Sequence, residues 1–124
     1  MNKIVLILIF SMSWLWGVEL HTYKEALEIQ KKSGKIIMLK IVRSNCHYCE
    51  DMQKAVCENK EMAQWLGKRF IVAKVNLDNE KAPLGIKVPF TPSFYFINKN
   101  QEIVKKIPGS WNIQDFKDLT EKIK

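Results

Sequence analysis

An α/β domain with one mixed central sheet is the fold class that the sequence predicts: a βαβ unit, then a ββα unit, with helices on both faces and an extra N-terminal helix. Three observations carry that expectation. Residues 36–42, Ile-Ile-Met-Leu-Lys-Ile-Val, are nearly all apolar and rich in β-branched side chains, which suits a central strand buried on both faces. Two shorter strand-like runs, residues 93–97 and 103–107, are joined by Asn98-Lys99-Asn100-Gln101, the composition of a hairpin turn. Helix-start signals open amphipathic segments before, between and after these runs.

In chain order, the first element is a targeting segment. Lys3 supplies a small positive start, residues 4–10 are unbroken apolar, and residues 12–16 continue the run with one serine. Leu15-Trp16-Gly17 ends on a small residue where a signal peptidase would cut. The stretch is shorter than the roughly 20 residues of a membrane-spanning helix. Residues 1–17 are therefore expected to be a signal peptide, or an uncleaved anchor. Residues 18–124 are the expected folded domain, and the compact leader fits export to a bacterial periplasm.

Thr22-Tyr23-Lys24-Glu25 is a capping box. It predicts a helix to about Ser33, ended by Gly34, with Tyr23, Ala26, Leu27 and Gln30 on one face. The central strand follows, and Lys40 is its one charged residue. Arg43-Ser44-Asn45 is a polar turn in which Ser44 or Asn45 is expected to cap a helix from Cys46 to about Cys57, with Met52, Ala55 and Val56 inward. Asn59 opens a further helical piece that should stop near Gly67. Residues 70–76 form the next strand, and residues 77–86 a connection with a helical turn near Ala82. After the hairpin, Asn112 caps a last helix with Ile113, Phe116, Leu119 and Ile123 on one face.

The 124 residues suffice for one domain, and an apolar share of 47% suffices for a packed core rather than disorder. The formal charge is +7; losing residues 1–17 removes Lys3 alone and leaves +6. The lysines are spread along the chain as a solvated surface would have them. No zinc-finger spacing, glycine-rich phosphate loop or basic helix supports nucleic-acid binding.

The chemistry concentrates at Cys46-His47-Tyr48-Cys49, which follows a predicted strand and opens a predicted helix. Only a thiolate attacks a disulfide, and unpaired N–H groups at a helix start favour that charge. Cys46 gains most from them. Cys49 lies one turn on, close enough to bridge. Cys46 would attack a partner's disulfide, and Cys49 would resolve the mixed disulfide. His47, if protonated, would add to the thiolate's stabilisation; otherwise it is an exposed spacer. Tyr48 is bulky and less rigid than a proline, which points to a more oxidising couple.

Other uses of the pair fit less well. A staple closing so short a loop stabilises by ~2 kcal/mol or less. Zinc wants four ligands, and beyond Cys46, Cys49, Cys57 and His47 none is near, so no metal site and no cofactor is expected. A haem-attachment motif needs His after the second Cys, where Glu50 stands. Cys57 lies ~12 Å further along a continuous helix, too far to bridge. It reads as a small buried hydrophobe, with a third redox thiol or a dimer link as alternatives.

Val88-Pro89-Phe90-Thr91-Pro92-Ser93 precedes the third strand. A threonine–proline pair there, after a βαβ unit with Cys-x-x-Cys, points to a cis Thr91–Pro92 bond. Thr91 would present its backbone beside the cysteines, where an incoming peptide could pair as an added strand. Such a proline also keeps an N–H away from the thiolates.

With these stretches, and with residues 72–78, the chain resembles the thioredoxin-like superfamily over about residues 20–124. It looks most similar to periplasmic thioredoxin-related and Dsb-type thiol–disulfide oxidoreductases. The resemblance implies Cys46 as nucleophile, Cys49 as resolver and a Cys46–Cys49 disulfide. It implies tuning by His47 and Tyr48, and a substrate-binding loop at Thr91 and cis Pro92. Exported proteins with cysteines would be the substrates and a membrane protein the redox partner; a thioredoxin-like reductant is expected ahead of an oxidant, although the direction of electron flow depends on the potential of the couple and not on the sequence. Two positions depart from the pattern: Asn45 replaces a tryptophan, and Lys40 stands where thioredoxins keep a buried acid, while Lys74 retains its matching lysine. Inward, Lys40 would favour thiolates; snorkelling outward, it would do nothing to them. A non-catalytic binding module and a metal carrier using the cysteines are the alternatives from other classes.

Overall fold

Residues 20–124 are described by the computed structural model, and the leader expected at residues 1–17 lies outside them. The elements are α1 (Tyr23–Ser33), β1 (Ile36–Val42), α2 (His47–Met52), α3 (Lys60–Arg69), β2 (Phe70–Asn76), β3 (Ser93–Ile97), β4 (Ile103–Pro108) and α4 (Ile113–Thr120). The strands make one sheet in the order β2-β1-β3-β4. β1 runs parallel to β2 and antiparallel to β3, and β4 closes the hairpin. This is the expected βαβ-then-ββα arrangement, preceded by the additional helix α1.

Side chains alternate across a strand, so the sheet has two apolar faces. Ile36 and Met38 of β1 pack with Phe94, Phe96, Leu66 and Phe116 under α2, α3 and α4. Ile37, Leu39 and Ile41 pack with Ala26 and Tyr95 under α1. Burial of large apolar side chains contributes about 1.5–3 kcal/mol each. Phe94 and Phe116 meet with centroids 4.9 Å apart, which ties α4 to the sheet centre. Lys40 falls on the same face as Ile36 and Met38, inside the protein, at 4% exposure.

The helix ends follow the caps. Thr22 and Glu25 form the reciprocal capping box of α1, and Gly34 closes it at φ 71°, where glycine meets no steric penalty. Asn59 caps α3 and Asn112 caps α4 through their side chains.

Three local expectations need correction. Cys46 itself, not Ser44 or Asn45, caps α2, because Asn45 turns through a left-handed φ of 54° and leaves Cys46 extended. The helix does not run regularly to Cys57: after Met52 it widens into a π-helical turn, Gln53–Cys57. The wider turn rotates the following residues, so Val56 and Cys57 are buried while Ala55 is exposed. Gly67 does not stop α3. The helix continues through it to Arg69, whose Nη2 donates to the carbonyls of Thr120 (3.2 Å), Ile123 (3.3 Å) and Glu121. A mid-helix glycine costs only about 1 kcal/mol, less than these contacts and the burial of Leu66 return.

Candidate functional site

The loop after β1 is anchored before it reaches the cysteines. Ser44 N–H donates to Asp78 Oδ2 at 2.7 Å, and Asn76 Nδ2 donates to Ser44 Oγ at 3.1 Å. Arg43 Nη1 lies 3.7 Å from Asp78 Oδ1. The end of β2 therefore fixes the turn leaving the adjacent end of β1. Asn45 takes the left-handed conformation that Asn tolerates better than most residues.

Cys46 then opens α2. Its Sγ accepts the Cys49 N–H at 3.2 Å, the contact a capping oxygen would make. Cys46 and Cys49 form a disulfide, with Cα atoms 5.2 Å apart. The two sulfurs differ in access: Cys46 is half-buried, whereas Cys49 is only 6% exposed. A partner can approach the pair through Cys46.

Beside it stands the loop before β3. The Thr91–Pro92 peptide bond is cis. Thr91 Oγ1 lies 3.3 Å and the Thr91 carbonyl oxygen 3.7 Å from Cys46 Sγ. The Pro92 carbonyl accepts the Gly109 N–H at 2.8 Å, which docks this loop on the end of β4. The topology thus brings Cys46, Cys49, Thr91 and Pro92 together from β1–α2 and from the start of β3.

His47 and Tyr48 point outward. The His47 side chain is 80% exposed, with Nε2 3.2 Å from Asp51 Oδ2. Tyr48 is 65% exposed and meets the His47 ring edge-on. Sequence reasoning missed two aromatic neighbours, Phe90 and Trp111, which are exposed on either side of Gly109. The Trp111 N–H reaches Met52 Sδ at 3.3 Å, fixing the β4–α4 turn against α2. An exposed aromatic beside Pro108-Gly109 was the only available signal, and it reads equally as an ordinary turn.

Behind the disulfide lies a pocket of about 280 Å³ whose lining includes Cys46, Cys49, Lys40, Gln53 and Lys74. Lys40 points inward. Its Nζ donates to Gln53 Oε1 and to Cys57 Sγ, the latter at 3.6 Å. Burial lowers the Lys40 pKa, against a smaller opposing effect of Cys57. Burial raises the Cys57 pKa, with Lys40 opposing. A larger open cleft, about 810 Å³, lies between the end of α1 and the β3–β4 turn and contains no cysteine. Among the described residues, no group of three or more His, Cys, Asp or Glu side chains could hold a metal ion.

Comparison with known proteins matches this geometry. A family model described as a thioredoxin-like domain covers residues 23–124. A thioredoxin from Thermus thermophilus superposes with a TM-score of 0.70 at 30% identity, over 85% of this chain and 86% of that one. DsbH oxidoreductase shares the fold, with a TM-score of 0.68 at 20% identity over 86% of each chain. Anterior gradient protein 3 of Mus musculus is 23% identical over 100 residues, 78% of this chain and 61% of its own length. Spermatogenesis-associated protein 20 of Mus musculus is 35% identical over 76 residues, 61% of this chain. The chain thus spans under two thirds of the first of these and 9% of the second. With the family match running from α1 to the last residue, the chain belongs to the thioredoxin-like family, and the chemistry its domain supports is thiol–disulfide exchange.

Proposed function

We propose that the protein is a periplasmic thiol–disulfide oxidoreductase that reduces disulfides in exported proteins. The observation that carries this reading is the asymmetry of the pair: Cys46 caps α2 and faces Thr91 at the surface, while Cys49 is buried one turn behind. In the reduced enzyme the Cys46 thiolate attacks one sulfur of a substrate disulfide. A Cys46–substrate disulfide forms and the other substrate sulfur leaves as a thiolate. Cys49, deprotonated, then attacks Cys46 Sγ, expels the second substrate sulfur and restores the Cys46–Cys49 bond. Two electrons pass to the substrate, and a membrane redox partner returns them by the same exchange.

Local geometry supports each role. The Cys49 N–H already donates to Cys46 Sγ and would hold a thiolate there more strongly, since charge-assisted bonds are roughly twice as strong. The Thr91 backbone lies where an extended substrate segment could pair beside the reacting sulfurs. His47 and Tyr48 stand at the rim, where they can touch a bound partner and adjust the couple. The apolar leader and the fold likeness to DsbH oxidoreductase and to the C-terminal domain of DsbD from Neisseria meningitidis support the periplasmic assignment and the membrane partner. Removal of residues 1–17 on export belongs to the same proposal.

Insulin reduction by the purified protein tests the activity. Wild type should precipitate the insulin B chain in the presence of a dithiol, and Cys46→Ser should not. Equal rates for the two proteins would remove Cys46 from the mechanism. The reduction potential tests direction: a value near −270 mV, on the order of thioredoxin's, fits a reductant, and one near about −120 mV an oxidant. Fractionation of cells expressing the full chain tests the compartment, and recovery in the cytoplasm would refute it.

A further inference from the structure

Lys40 is an ionisable group that the exchange steps above leave unused, and its placement calls for an explanation. It sits mid-strand in β1, the centre of the parallel pair, and is almost wholly inside the protein. Its Nζ is tied to Gln53 and Cys57 of the π-helical turn that continues α2. The widened turn carries both partners, so the irregularity in the helix and the buried amine form one unit. Lys40 also lines the pocket that Cys46 and Cys49 line from above.

We propose that Lys40 is a charge-compensating residue of the redox couple, its amine set in the shared pocket where reduction of the disulfide places a thiolate. The proposal rests on the oxidoreductase reading. In balanced form, a donor dithiol reduces the Cys46–Cys49 bond and becomes a disulfide. Its two electrons leave Cys46 as a thiolate and Cys49 as a thiol. Of the donor's two protons, one goes to Cys49 and the other to solvent.

The surroundings leave the buried amine short of counter-charge. Burial disfavours the ammonium, and Lys74, its register partner on β2, adds like-charge repulsion. Against these, Cys57 is held as a thiol by its own burial, and Glu58 beyond it gives only a minor attraction. Glu50 and Lys54 of the α2 side and Arg43 of the loop line the same pocket with mixed sign. The Phe94 partner on β3 is apolar. A thiolate at Cys46 adds the missing counter-charge. Stabilising the reduced form in this way raises the potential, so Lys40 makes the couple less reducing than an apolar residue there would.

The test measures the reduction potential against glutathione, together with thiolate absorbance across pH, for wild type, Lys40→Met, Lys40→Arg and Cys57→Ser. Lys40→Met should lower the equilibrium ratio of reduced to oxidised enzyme by about tenfold, equivalent to ~30 mV. It should also raise the pH at which the Cys46 thiolate appears. Lys40→Arg, which keeps the charge, should restore both. Lys40→Met values within about twofold of wild type would overturn the proposal, as would a shift confined to Cys57→Ser. A measurement on wild type alone covers the case in which Lys40→Met fails to fold. There the Cys46 thiolate should appear below the ordinary cysteine value of about 8.5, and a thiolate appearing at or above that value would overturn the assignment. Potentials against glutathione need no protein substrate, so an inactive wild type in the insulin assay would refute the function without deciding this point.

Discussion

Cys46 and Cys49 are three residues apart, yet one meets solvent and the other does not, and in the proposed mechanism that difference divides the labour between them. An attacking sulfur must be reached by a partner's disulfide, whereas a resolving sulfur need only reach Cys46. Cys49→Ser is therefore expected to stall after the first step. It should accumulate covalent Cys46–substrate species, visible on a non-reducing gel and lost on adding a dithiol; absence of any such adduct would count against the assigned order. The pair was legible in the sequence because its spacing and its place after an apolar strand are local facts. Lys40 was legible as an anomaly but not as an inward one. Its direction is set by alternation within β1 and by Gln53 and Cys57 waiting on the other side, and neither partner is adjacent in sequence. Phe90 and Trp111 were missed because their two loops meet only in the folded sheet, where Ser93 pairs with Pro108 and the Pro92 carbonyl docks on Gly109.

The helices show where local signals suffice and where they do not. The α1 capping box was readable from four residues, and its geometry carries a pH dependence. Hydrogen bonding with Thr22, through side chain and then backbone, lowers the Glu25 pKa below its usual 4.5. A depressed carboxyl stabilises the fold above the unfolded value, and that contribution is lost as pH falls through the lower folded value. Urea midpoints should therefore drop on acidification from about pH 5, less so in Glu25→Gln. Thr22→Ala should cost about 1 kcal/mol near neutrality. The α3 boundary was misread because glycine is a good stop signal only when the backbone turns left-handed there. Gly67 stays helical and exposed, and a Cβ added to it would meet nothing within 4 Å. Gly67→Ala should therefore stabilise the protein by about 0.4–1 kcal/mol; a loss of stability would mean that the site is not the open helical position described. The π-helical turn had no sequence signature. It arises from fitting Val56 and Cys57 against the sheet while Met52 stays buried, a demand of tertiary packing.

At the level of the whole molecule, the core does not depend on the disulfide. Both apolar faces of the sheet are filled by side chains outside residues 46–49 apart from what α2 adds, and Phe94, Phe96 and Phe116 are fully buried. Closing so small a ring restricts the unfolded chain little. Reduced and oxidised protein should differ in unfolding free energy by ~2 kcal/mol or less, measured as paired denaturant titrations with and without a dithiol. Complete unfolding on reduction would show the bond to be a structural staple. Strand order and helix placement followed from the order of sequence elements, since a βαβ unit and a hairpin leave few ways to assemble one sheet.

The start of the described chain adds one more strand-like contact. His21 bridges Ala73 in parallel, its N–H donating to the Val72 carbonyl at 2.9 Å and its carbonyl accepting the Lys74 N–H at 3.0 Å. At His21 the backbone thus runs the same way as β2, alongside its middle. Two backbone bonds cover the middle of the outer edge of β2, a row of amide and carbonyl groups that would otherwise be free to pair with another polypeptide.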